Sequence, residues 1–138
     1  MERRAYLTGM GSAAVVGLAG CMGFLEEDYD VGMSPTDFEP RDLTVDVGTT
    51  VVWKNTSSRG HTITAYENAI PAEASFFATG EFESEQAARE AWNTGRENDG
   101  IIGPSETYEH TFEVPGRYDY FCIPHESESM AGAIVVEE

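Results

Sequence analysis

Lysine is nearly missing from this chain: Lys54 is the single copy, and eight basic residues stand against 25 acidic ones for a formal net charge of −17. A protein so short of positive charge has no basic face to set against phosphates, which excludes nucleic acid as a partner. Cysteine and histidine are scarce too, with two and three copies. Long apolar runs are also wanting. The small-residue and apolar stretch Met10 to Gly20 is far below the ~20 residues that a membrane-spanning helix needs. What remains is ordinary globular material, 138 residues with 41% apolar and 11% aromatic content, enough for one hydrophobic core. The acids are spread among strand-like segments rather than run together, so they describe a hydrated acidic surface and not a disordered tail.

The first twenty residues read as an export signal: Arg3 and Arg4, the apolar stretch, then "LAGC" closing at Cys21. "RRAYL" resembles a twin-arginine signal, and "LAGC" resembles the lipobox of lipoproteins, whose cysteine is lipidated and becomes the new N-terminus. With Cys21 so committed, Cys122 has no disulfide partner within the chain. The predicted organisation is a signal over residues 1–20, an acidic tether over 21–37 and a single domain over 38–138. Lysine scarcity with an excess of glutamate and aspartate resembles proteins of salt-loving microbes.

Alternation of apolar and polar residues predicts strands at Leu43–Val47, Thr49–Asn55, His61–Tyr66 and Thr107–Val114, then over "RYDYFC" and "GAIVVEE". Within 67–106, "SEQAAREAWN" predicts one short helix, capped by Ser84, supported by Glu85 and Arg89 four apart, and followed by Gly95. Many short strands, one helix and frequent turns predict an all-β fold, an antiparallel β-sandwich with the helix in a long loop.

The scarce soft side chains are gathered in "CIPHESESM", which spaces Cys122, His125 and Met130 as C-x2-H-x4-M. Thiolate and imidazole suit copper and zinc alike, and a thioether favours copper. His61 is the natural further nitrogen ligand, since it follows a turn and opens a strand. His110 sits mid-strand between Tyr108 and Phe112 and reads as a packed histidine. Tyr118 and Tyr120 read as core, with a hydroxyl able to pin a corner.

From Phe38 to Glu138 the chain resembles a cupredoxin of the plastocyanin and halocyanin group: a strand-turn-strand ending in W-x-N, a lone histidine, then G-x-Y-x-Y-x-C-x2-H-x4-M. The resemblance implies a Greek-key sandwich binding one type 1 copper per chain, with His61, Cys122 and His125 as strong ligands and Met130 as the weak axial one. It also implies a one-electron carrier and no enzymatic activity. Redox proteins would be its donor and acceptor, among them membrane respiratory components, with the lipid on Cys21 holding it on the outer face of the cell. Two departures stand out. Thr62 follows the first histidine where the family often has asparagine, and Glu126 and Glu128 lie in the ligand loop where plastocyanins have small neutral residues. Copper storage or delivery is the alternative function, but such proteins favour Met-rich or C-x-x-C sites, and beyond Cys21 the methionines are only Met22, Met33 and Met130.

Overall fold

A computed structural model describes residues 29–95 and 100–138. The predicted signal and Cys21 lie outside the described residues. Among these residues eight strands form two four-stranded sheets. The first has β1 (Val31–Met33), β2 (Phe38–Glu39), β4 (Thr49–Asn55) and β6 (Thr107–Phe112) in the order β2-β1-β4-β6. The second has β3 (Asp42–Asp46), β5 (Thr64–Ala65), β7 (Gly116–Phe121) and β8 (Ala131–Glu137) in the order β3-β8-β7-β5. This is the expected all-β sandwich, with two parallel pairs, β1 with β4 and β3 with β8, among otherwise antiparallel neighbours.

Alternation decides which side chains fill the sandwich. On β4 Val51, Trp53 and Asn55 point inward, and on β7 Tyr118 and Tyr120 meet them. Trp53 lies at the centre, edge-on to Tyr120 at 5.5 Å and beside Tyr108, Phe112 and Phe77. The Tyr118 hydroxyl donates to the Val114 carbonyl at 2.6 Å and so pins the turn that leads into β7. Gly132 on β8 is required by close packing: a Cβ there would stand 2.7 Å from the Arg41 carbonyl oxygen and 2.8 Å from the Tyr120 hydroxyl.

The tether expectation over 21–37 needs correction. Val31 and Met33 are fully buried in β1, which pairs in parallel with Trp53–Asn55 and antiparallel with Phe38–Glu39. Three residues are too short to display a period of two, and flanking acids and the Ser34-Pro35 turn hide them. The predicted strand His61–Tyr66 is likewise shorter. Only Thr64–Ala65 belongs to β5, and His61 is bridged instead to Ile102.

The helix forms as predicted. In α1 (Glu85–Asn93) the Ser84 hydroxyl accepts from the Ala87 N–H at 3.0 Å, and Ala88 and Ala91 face inward. No helix among the described residues is long and apolar enough to cross a membrane.

Candidate metal centre

The strand ends at one pole of the sandwich deliver the predicted donors. Cys122 directly follows β7, His125 sits in a 3-10 turn (Ile123–Glu128), and Met130 precedes β8. Short backbone bonds close the loop on itself. The His125 N–H donates to the Cys122 carbonyl, that of Met130 to the His125 carbonyl, and that of Cys122 to the Met130 carbonyl, at 3.2, 3.2 and 3.0 Å. Ser129, in the left-handed region at φ 67°, turns the chain from His125 back to Met130.

His61 comes from the other side. Asn55, buried at the end of β4, donates its side-chain amide to the carbonyls of Arg59 and Ile102 and accepts from both the backbone and the hydroxyl of Ser57. The Ser57 hydroxyl proton is therefore engaged, and its oxygen accepts from His61 Nε2–H at 3.1 Å. This leaves Nδ1 of His61 as the free lone pair. It faces Cys122 Sγ at 3.6 Å, and His125 Nδ1 lies 3.4 Å from the same sulfur.

The donor atoms of His61, Cys122 and His125 all fall within 4.8 Å of one another, and all three residues are buried. Metal bonds of about 2.0–2.1 Å to nitrogen and about 2.3 Å to sulfur place neighbouring donors about 3.5–3.7 Å apart. The sulfur-to-nitrogen separations match, so the residues fit a mononuclear ion. Met130 is fully buried in the same loop, and a thioether there would be a soft fourth donor that favours copper.

Protonation suits this role. Burial, with the positive potential of His125 and Arg59, lowers the pKa of His61 to about 4 against the opposing Ser34 carbonyl. Burial and Arg59 also lower His125, against Glu128. Both imidazoles are thus neutral donors at neutral pH. Burial raises the Cys122 thiol, opposed by the N–H groups of Thr62 and His125, so metal entry displaces a proton from the sulfur.

Two supports escape sequence reasoning. The Thr62 hydroxyl accepts from the Ile123 N–H at 2.9 Å, tying the His61 segment to the Cys122 loop, a role foreshadowed only by its place after a ligand. Arg41 donates to the carbonyls of Ser129 and Ala131 at 3.0 and 2.8 Å, on either side of Met130, and nothing in the sequence announces it. His110 stays apart, stacked on Phe77 at 4.6 Å and edge-on to Phe112.

A two-sheet sandwich with a buried His2Cys set and a methionine at one pole defines a blue copper protein, a cupredoxin. Comparison with known proteins agrees. The family model for copper binding proteins of the plastocyanin/azurin family matches residues 25–137. Plastocyanin of Scenedesmus fuscus is 32% identical over 100 residues, covering 72% of this chain and 86% of that protein. Halocyanin of Natronomonas pharaonis is 32% identical over 130 residues, covering 94% of this chain but 59% of that protein. The chain likewise spans 58% of the plastocyanin of Tetradesmus obliquus, at 30% identity. Among solved structures, amicyanin from Paracoccus versutus superposes with a TM-score of 0.52 at 25% identity, over 78% of each chain. The chain belongs to the plastocyanin/azurin family of copper-binding proteins.

Proposed function

We propose that this protein is a one-electron carrier, exported and held on the outer face of the cell membrane by a lipid on Cys21, that passes electrons between redox proteins, membrane respiratory components among them. The observation that carries the reading is the unequal burial of the ligands. His61, Cys122 and Met130 are 0% exposed, whereas His125 is 6% exposed. One imidazole edge is the opening through which an electron leaves or enters, and solvent is kept from the other ligands. Copper in such a site supplies a Cu(II)/Cu(I) couple at a geometry that suits neither state alone, so little rearrangement accompanies transfer. The chain's own part is to hold two neutral imidazoles and a thiolate rigid. The homology to plastocyanins and a halocyanin supports the assignment.

The test is a visible spectrum of the copper-loaded protein through cycles of oxidation and reduction. An intense blue band that bleaches and returns reversibly is the expected result. A pale or colourless copper complex would overturn the carrier in favour of copper storage or delivery.

A further inference from the structure

The described residues of the long segment 67–106 reach both ligand-bearing parts of the metal site. On one side they flank the stretch His61 to Ala65. The Ala65 N–H donates to the Phe77 carbonyl, the Thr79 N–H to the Ile63 carbonyl, and His61 and Ile102 exchange backbone bonds at 3.1 and 2.7 Å. On the other side α1 reaches the His125 loop. The Arg89 guanidinium forks onto the Glu126 carboxylate at 2.8 and 3.2 Å, and the same guanidinium pairs with Glu85 at 2.8 Å. Its plane lies over the Phe121 ring at 4.4 Å. Glu126 also accepts from the Tyr66 hydroxyl at 2.8 Å, and Tyr66 stacks on Phe121 at 4.3 Å. Glu126 follows His125 directly, and Phe121 precedes Cys122 directly.

We propose that residues 67–95 and 100–106 brace the metal centre, and that Arg89, as a positioning residue, locks the loop carrying the least buried of the ligands. The inference rests on the copper-carrier reading for its purpose, though not for its geometry. His125, 6% exposed where the other ligands are 0%, sits in a turn of six residues rather than in a strand. A bidentate guanidinium–carboxylate pair fixes orientation as well as distance, which a lone charge does not. Held at Glu126 from a helix and at His61 by its backbone bridge to Ile102, the two halves of the site keep their spacing through both oxidation states.

The test uses Arg89→Met, which keeps an unbranched apolar stem over Phe121 and removes the fork, with Glu126→Gln and the double variant. In the metal-free full chain, amide hydrogen exchange at His125, Ser129 and Met130 should quicken about fivefold, the factor for loss of about 1 kcal/mol. Amides in the middle of β4 and β7 should not change. In the reduced copper-loaded protein, release of copper to a chelator should quicken by a similar factor while the blue band of the oxidised form is kept. Glu126→Gln should reproduce the effect, and the double variant should add little to either. Unchanged loop exchange and unchanged release in both single variants would overturn the brace. If Arg89→Met does not fold, Glu126→Gln decides alone by the same readouts. Failure of the parent protein to form a blue site would overturn the carrier reading, and loop exchange in the metal-free chain would still decide the brace.

Discussion

The backbone N–H of Thr62 points at Cys122 Sγ from 3.4 Å, while the hydroxyl of the same residue accepts from the N–H of Ile123 on the far side of the sulfur. One residue thus contacts both the sulfur and the chain that carries it. Thr62→Val keeps the shape and the sulfur contact and orphans the Ile123 N–H. Stability should fall by about 1–2 kcal/mol, as a part-buried donor loses its partner, with the blue band retained. Urea unfolding of the metal-free variant measures this, and an unchanged midpoint would show that the tie contributes nothing.

Arg41 grips the carbonyls that flank Met130, so the expected axial ligand answers to a residue 89 positions away in sequence. Arg41→Met should change stability little, by no more than about 1 kcal/mol, because the guanidinium is exposed. It should nonetheless shift the reduction potential in the same direction as a change at Met130 itself. Met130→Gln should keep copper and move the potential further, because the axial contact tunes the metal without dominating its affinity. Voltammetry of both variants checks the order of effects.

His61 gives the metal-free protein a defined pH response. Its pKa falls from 6.5 to about 4 on folding, so below pH 6.5 the unfolded chain binds a proton that the folded chain refuses. The stabilisation is fully present above 6.5 and is lost as pH drops toward 4, by up to about 3 kcal/mol. His125, lowered for the same reason, acts with the same sign. His61→Gln should flatten the dependence of unfolding free energy on pH across this window, and an equally steep dependence would assign it elsewhere.

Two molecules of net charge −17 repel when they meet. The Debye length shrinks from about 30 Å at 0.01 M salt to about 3 Å at 1 M. Electron self-exchange should therefore accelerate over that range and level off above it, where contact rests on short-range packing by Ile123, Pro124 and Ala131 around His125. A rate that falls steeply between one and several molar salt would show that charge still governs the encounter.

The two cysteines should separate cleanly. Cys122→Ser should abolish the blue colour and leave the protein membrane-bound, whereas Cys21→Ser should release it, or leave it held by an uncleaved signal, with colour unchanged. Fractionation combined with spectra decides, and loss of colour in Cys21→Ser would refute the division.

Sequence reasoning succeeded where a physical rule acts over a few residues. β4 shows itself through alternation across Thr49–Asn55, α1 through Ser84 and the Glu85/Arg89 spacing, and the metal loop through three soft donors within nine residues. It failed where the cause lies across the fold. β1 is a strand only because β4 offers it an edge, and a two-residue β5 has no period to read. Arg89 looked like half of a helical surface pair because nothing local marks its second carboxylate, Glu126, 37 positions on. His61, by contrast, could be picked out because so few histidines competed with it.

The early burial of β1 would limit how far a protein anchored at Cys21 could travel. A chain anchored at Cys21 and free up to residue 37 would have a leash of roughly 60 Å, at the most extended backbone spacing. Because the Asp30 N–H is already bonded to the Val52 carbonyl and Val31 is buried in the first sheet, the chain joins the domain no more than nine residues past Cys21, a greatest span of about 30 Å. A lipid on Cys21 would then keep the copper pole within about one domain's length of the bilayer surface. Encounters with redox proteins would become a matter of sideways diffusion in the plane of the membrane, and the height at which a partner presents its own redox centre would decide whether the two can meet.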